Sequence, residues 1–311
     1  MSTDPEVWPA LPYDEWKDTY ATFHRWTQIV GKICTACCPW LNHSWHVTLH
    51  VTPRGLITSS IPHGTRTFQI DFNLVDHRLG IVTSDGASGG FHLRPMTVAA
   101  FYTELMLELR ELGVPVTIHG KPNELPDTLP FAEDDTHSAY DPEYADRLRR
   151  VLVQSDRVLT GFRSRFLGKS SPVHVFWGAL DLAVTRFSGR PAPEHAGGFP
   201  HLPDWITREA YSHEVSSAGL WLGGEKAPAP MFYSYAYPSP AGFAETKVRP
   251  GEAFWSGDMG EFFLPYDVVR TADDPDAVLL EFLQSTYEAA AETGKWDRMA
   301  LERPMNPADG D

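Results

Sequence analysis

The chain is predicted to be an α+β protein with antiparallel sheets in two halves, each closed by an amphipathic helix. Three observations carry that reading. Strand-like runs come in clusters, turn signals separate the runs within a cluster, and a segment of helical periodicity follows each cluster. A parallel sheet would need a crossover of a dozen or more residues between paired strands, and the runs here stand too close together for that.

The elements follow in order. From about Asp14 to Cys37, the residues Trp16, Tyr20, Phe23, Thr27 and Val30 share one helical face. Trp45, Val47, Leu49 and Val51 then alternate with His46, Thr48, His50 and Thr52, ahead of a Pro53-Arg54-Gly55 turn. Phe68, Ile70 and Phe72 alternate with Gln69, Asp71 and Asn73, and a turn at Asp76-His77-Arg78 leads back through Leu79 and Ile81. Thr97 caps a helix that carries Phe101, Leu105 and Leu109 inward and stops at Gly113. Asp141-Pro142 opens a long helix with Tyr144, Leu148, Val151, Leu152, Leu159 and Phe162 inward. Strands are predicted over His174–Phe187, Val215–Leu222, Met231–Tyr237 and Phe262–Val269. Asp274-Pro275 opens the closing helix, with Gly294 beyond its end. Proline suits the first helical position because the N–H it lacks would be unpaired there.

The two clusters resemble one another. Gly90-Phe91-His92-Leu93-Arg94-Pro95 precedes one closing helix and Gly260-Glu261-Phe262-Phe263-Leu264-Pro265 the other, so an internal pseudo-repeat would set a ligand site at the seam. We read a single compact unit over residues 1–300, with halves at about 1–139 and 140–300 and a flexible tail at 301–311. Segments 120–140 and 190–211 lack periodicity, and loops that long usually cover a site or lack fixed structure. The second holds His195, His201 and Trp205 among several prolines and reads as an ordered lid.

Charge bounds the partners. With 41 acidic against 26 basic residues the net charge is −15, which repels phosphate backbones and anionic headgroups, so neither nucleic acid nor a membrane surface is expected. No basic-then-apolar leader opens the sequence and no apolar run is long enough to span a bilayer, giving a cytoplasmic expectation. Oligomeric state is not legible. Cys34, Cys37 and Cys38 cluster, but a zinc site would want a second pair; they read as small apolar residues ending a helix, reduced and metal-free. His46 and His50, four apart on a strand, stand about 13 Å from each other and read as a solvated face.

No Gly-x-Gly-x-x-Gly after a strand, P-loop, His-Glu-x-x-His helix or Gly-x-Ser-x-Gly elbow occurs. Polar chemistry is densest between His174 and Tyr237. Asp181 sits in an otherwise apolar strand, where a carboxylate needs a partner. Asp181 and Arg186 have opposite strand parity, so each needs a different one. His213 and Glu214 enter the next strand, and Tyr233, Tyr235 and Tyr237 share a face.

The runs Trp26-Thr27-Gln28-Ile29-Val30-Gly31-Lys32, Asp181 to Arg190, Ser212 to Gly219 and Tyr233-Ser234-Tyr235-Ala236-Tyr237-Pro238 resemble a bacterial family filed as a domain of unknown function. The resemblance runs from about Trp8 to Trp296. It implies one unit spanning both halves, carries no activity, and argues against a role for the cysteines, which that family's pattern lacks.

The resulting expectation is an enzyme acting on a small polar metabolite at a pocket between the halves. Asp181, Arg186, His213 and Glu214 are its catalytic candidates, with Arg186 anchoring an anionic group and His213 with Glu214 moving protons. Tyr233 and Tyr235 would line the ligand site, and His174, His213 and Glu214 would hold a divalent metal. The alternatives are a non-catalytic binding or sensor protein using the same pocket, and an interaction protein whose tyrosine face is an oligomer contact.

Overall fold

The computed structural model describes residues 7–199, 201–224 and 229–303. In the first half, helix α1 (Tyr13–Cys37) leads into β1 (Leu49–Thr52), β2 (Gly55–Thr58), β3 (Ile61–His63), β4 (Arg66–Asn73), β5 (Arg78–Thr83) and β6 (Ser88–His92), closed by α2 (Val98–Glu111). In the second, α3 (Pro142–Ser164) precedes β7 (His174–Phe176), β8 (Asp181–Pro191), the short helix α4 (Asp204–Ala210), β9 (His213–Trp221), β10 (Met231–Tyr237), β11 (Phe254–Ser256) and β12 (Glu261–Pro265). Helices α5 (Tyr266–Arg270), α6 (Pro275–Thr293) and α7 (Arg298–Leu301) follow.

The fold is α+β. The strands form one continuous sheet in the order β11-β12-β10-β9-β8-β7-β1-β2-β4-β5-β6, with β3 also on β4 and every pairing antiparallel. The sequence suggested two sheet regions; the join is a single pairing of Leu49 in β1 with Val175 in β7. Local patterning says which face of a strand is apolar, not which distant strand it meets. From that join the strands step outward in both directions, so each half runs helix, strands, helix.

The helix boundaries follow from their caps. Thr97 accepts from Ala100 N (3.1 Å), Asp141 from Glu143 N (2.8 Å) and Asp274 from Ala277 N (3.1 Å), each satisfying a donor the first turn leaves open. α3 packs on β8 and α6 on β9 and β10, with Leu148, Val151, Leu159, Leu279 and Phe282 fully covered. Each such side chain contributes about 1.5–3 kcal/mol on burial. α1 is more than amphipathic: its middle is covered all round, with Trp26 stacked on Phe101 (4.8 Å) and Phe23 edge-on to Phe72 (5.3 Å).

Four local readings change. Tyr266 to Val269, read as the end of the last strand, form the short helix α5 that follows Pro265 directly. β1 begins only at Leu49, and His46 is not solvated but buried against Trp40, its Nδ1 accepting from Leu41 N (3.3 Å). The stretch from Trp177 to Leu180 is a turn between β7 and β8, not strand. Residues 301–303, placed in a flexible tail, are pinned: Leu167 N donates to Leu301 O (2.7 Å) and Arg303 N to Arg165 O (2.9 Å); 304–311 lie outside the described residues. Cys34 is a buried core residue, and Cys37 and Cys38 are half-buried free thiols where α1 ends.

Candidate functional site

Alternation along β8 sorts its side chains. Leu182, Val184 and Arg186 face the layer holding α3 and α6, whereas Asp181, Thr185 and Phe187 face a cavity of about 830 Å3. That volume is in the range of small-molecule sites. The cavity lies between the halves. The first half supplies Lys32, Thr35, residues in the 40–47 segment and the loop 119–128. The second supplies the turn from Phe176 to Asp181, then Val215 and Tyr235, and a cover from Phe199 to Tyr211. Eight aromatic side chains stand in its walls: Trp40, Trp45, Phe176, Trp177, Phe187, Phe199, Tyr211 and Tyr235.

A polar stripe on α1 organises the floor. Tyr20, His24, Gln28 and Lys32 recur every four residues and so stack along one side of the helix. His24 Nε2 reaches Gly178 O (2.9 Å) and Trp177 O (3.0 Å); since carbonyls only accept, that nitrogen carries the proton. Burial pushes the imidazole down to about 4, so His24 stays neutral. Gln28 pairs with the backbone of Asn123, donating to its O and accepting from its N, both at 2.8 Å. Lys32 Nζ donates to Asn123 Oδ1, while Asn123 Nδ2 donates to His201 O (2.6 Å). One helix face thus fixes the turn before Asp181, the loop bearing Glu124, and a point on the cover.

Among the described residues, Asp181 and Glu124 are the carboxyls that line this cavity. Tyr233 donates to Asp181 Oδ2 at 2.5 Å, its ring passing over Gly219, its partner across β9 and β10. A Cβ at Gly219 would stand 2.0 Å from Leu182 O and 2.6 Å from the Tyr233 hydroxyl, so only glycine permits this crossing. Burial lifts Asp181 to about 6, partly offset by the tyrosine bond. Glu124 reaches in under Gly178, where a Cβ would lie 1.9 Å from Oε1. Its carboxyl is open to solvent in the cavity yet ringed by protein, which together with Asp181 lifts it to about 7. Glu261, at the start of β12, is raised to about 7 for the same two reasons. Tyr235 shares a hydrogen bond with Tyr211 (3.0 Å).

The cover is tied to the first half. Trp40 Nε1 donates to Glu209 Oε2 (2.6 Å) and His43 Nδ1 to Ala210 O (3.1 Å), leaving His43 Nε2 to accept from Lys169 Nζ (2.6 Å). The segment read as a lid contributes Phe199, His201 and Leu202 to the cavity wall, whereas His195 stacks on Tyr211 and is not among the lining residues; Pro200 lies outside the described residues.

A sequence profile of a family of unknown function matches residues 8–303. The chain belongs to DUF5996. No curated protein and no solved structure matches it. The DUF5996 match covers the whole cavity, both halves and the cover included.

The four catalytic candidates do not converge. Asp181 faces the cavity, but Arg186 points through the opposite face of the sheet. Its guanidinium lies 3.5 Å from the Phe162 ring centre, 4.3 Å from Tyr287 and 5.1 Å from Phe166, and donates to Phe162 O. The reason is the parity difference between 181 and 186. Glu214 also faces away, bonded to Arg190 Nη2 (2.6 Å) and Ser188 Oγ (2.8 Å). His213 is half-buried beside Ser212 Oγ (3.1 Å) and is not on the cavity wall. His174 shares the face of Asp181 but is fully covered, in contact with Phe176. Among the described residues no three His, Cys, Asp or Glu side chains stand close enough to hold a metal, so His174, His213 and Glu214 form no ligand set. Of the two tyrosines expected at the ligand, Tyr235 lines the cavity, while Tyr233 is buried behind it and engaged with Asp181. Among the described residues no helix is long and apolar enough to cross a membrane.

Proposed function

We propose that this chain is an enzyme that holds a small organic molecule with an aromatic or extended apolar body in the cavity and acts on it by general acid–base chemistry. Asp181 and Glu124 are the proton-transfer groups. The observation that carries the reading is that two carboxyls with raised pKa, about 6 and about 7, face one aromatic-walled cavity. Groups poised near neutrality move protons most efficiently there, and carboxyls reach that range only when surroundings disfavour their charge. In this account Glu124 is the acid, half-protonated at pH 7, and Asp181 the base, with Tyr233 orienting it. The ligand is less polar than the sequence alone suggested, because eight aromatic rings stand in the walls. The chain's −15 charge supports a small-molecule partner over nucleic acid or an anionic membrane surface, in keeping with a cytoplasmic setting.

A non-catalytic binding protein is the second reading, favoured by the engagement of Asp181 with Tyr233 and of Tyr235 with Tyr211, which leaves fewer groups free to react. A thermal-shift panel of aromatic aldehydes, acids, amines and phenols, followed by proton NMR of each stabilising compound, separates the two. Turnover that Asp181→Asn abolishes supports the enzyme. Stabilisation with every compound recovered unchanged supports the sensor, and no stabilisation by any compound contradicts both.

A further inference from the structure

The placement of Lys32 is explained by neither the carboxyl pair nor the aromatic side chains of the cavity. It is 6 % exposed, stands last in the α1 stripe and lines the cavity, with its ammonium 5.5 Å from the centre of the Trp177 ring. Its hydrogen-bond partner is the neutral amide oxygen of Asn123. That oxygen is aimed at it because the other end of the amide donates to His201 O and the Asn123 backbone is clamped by Gln28. No carboxylate among the described residues offsets the desolvation of the ammonium. A structural lysine in a protein interior is normally paired with an acid, since an unpaired charge there is strongly destabilising. Here the charge is held by an uncharged acceptor on the cavity wall, one residue along the chain from a loop acid, Glu124.

We propose that Lys32 is a nucleophilic amine that condenses with the carbonyl group of an aromatic aldehyde or ketone held in the cavity. The proposal rests on the cavity being the ligand site and adds the chemical class of the ligand. In the step, the nitrogen lone pair of neutral Lys32 attacks the carbonyl carbon; a C–N bond forms, the carbonyl π electrons move to oxygen, and oxygen takes up the proton that the nitrogen releases. The carbinolamine hydroxyl then takes a second proton and leaves as water, the nitrogen lone pair forms the C=N bond, and the remaining nitrogen proton returns to the carboxylate that supplied the second one. One amine and one carbonyl give one imine and one water, with no oxidant or reductant. Glu124 is the group placed to supply the proton that turns hydroxyl into water, and the aromatic walls slow the return of water to the imine. Burial pulls the Lys32 ammonium down to about 8, so a useful fraction is free amine at neutral pH, whereas an exposed lysine is almost wholly protonated.

The test is reductive trapping on the full-length protein. 4-Hydroxybenzaldehyde is added at pH 7 with sodium cyanoborohydride, which reduces the imine to a stable secondary amine, and modified lysines are mapped by peptide mass spectrometry. Lys32 should label about tenfold faster or more than the exposed Lys17 and Lys247, given the larger free-amine fraction of a low-pKa lysine. Its labelling should saturate with aldehyde concentration and be slowed by 4-hydroxybenzyl alcohol, which has the ring but no carbonyl. Lys32→Arg keeps the charge and should lose the fast-labelling peptide. If the alcohol quenches the cavity tryptophans while Lys32 labels no faster than Lys17, the cavity reading stands and the amine role is overturned. Fast Lys32 labelling that the alcohol does not slow also overturns it, since the reaction would then owe nothing to a bound ring.

Discussion

Tyr233 donates a 2.5 Å hydrogen bond to Asp181 across the bare backbone of Gly219, joining residues 52 positions apart on β8 and β10. This contact makes a carboxyl in an apolar strand tolerable, and it sets the proton chemistry of the site. Burial raises Asp181 above its unfolded value, so the folded chain binds the proton more tightly than the unfolded chain. The stabilisation from that proton is complete below about pH 4 and is lost as pH rises through about 6. Asp181→Asn keeps an acceptor for Tyr233 without the charge. Urea unfolding at pH 4.5 and pH 8 should therefore show the variant gaining about 1–3 kcal/mol on the wild type over that interval. A difference that does not change with pH, or changes the other way, contradicts the assignment.

Gly219→Ala tests the crossing itself. The added Cβ meets backbone oxygen at 2.0 Å, which cannot swing aside, so the strands must part and Tyr233 must move. A cost of about 1–3 kcal/mol is expected in the urea midpoint, from overpacking, together with loss of ligand stabilisation. A variant as stable as wild type would show that the strands have slack there.

The fold was largely legible because its signals are local. Asp141-Pro142 and Asp274-Pro275 start helices where caps and periodicity coincide, and Thr97 does the same for α2. The site was legible only in part. Asp181 stood out as a carboxyl among apolar neighbours. Arg186 stood out on the same grounds, and parity already separated the two; the distant partner of each was what local pattern withheld. Glu124 and Asn123 lie in an aperiodic loop, where the one signal was its length. The His24, Gln28, Lys32 stripe had helical spacing throughout, but a polar stripe on a helix ordinarily faces water, and only the tertiary fold shows that this one faces the loop and turn it holds.

Arg186→Met separates the two faces of the sheet. The guanidinium is caged by Phe162, Tyr287 and Phe166, and burial lowers it to about 9. A desolvated cation over aromatic rings gains about 2 kcal/mol, comparable to what its burial costs. An apolar side chain of similar length should therefore fold within about 1.5 kcal/mol of wild type. Ligand stabilisation should be unchanged. Loss of binding at wild-type stability would return Arg186 to the site.

His174 is fully buried, and neither ring nitrogen has a hydrogen-bond partner among the described residues. Burial, helped by His50, lowers it to about 3, so the unfolded chain takes up a proton that the folded chain refuses. The stability this gives is present above pH 6.5 and is lost as pH falls toward 3. His174→Leu removes the penalty, and its acid-unfolding midpoint, followed by far-ultraviolet circular dichroism, should lie below that of wild type. An unchanged midpoint would mean the ring is protonated in the folded state.

The central claim is that the cavity between the halves is where the ligand binds, and the tryptophan indoles report on it directly. Trp40, Trp45 and Trp177 line the cavity, whereas Trp26 and Trp255 are packed elsewhere. Nitrogen–proton correlation spectra of labelled protein, with each indole assigned by single Trp→Phe variants, should be recorded before and after adding a compound that stabilises the chain in the thermal-shift panel. The cross-peaks of Trp40, Trp45 and Trp177 should shift together and saturably, while those of Trp26 and Trp255 stay in place. A stabilising compound that moves Trp255 or Trp26 and leaves the three cavity indoles still would contradict the account.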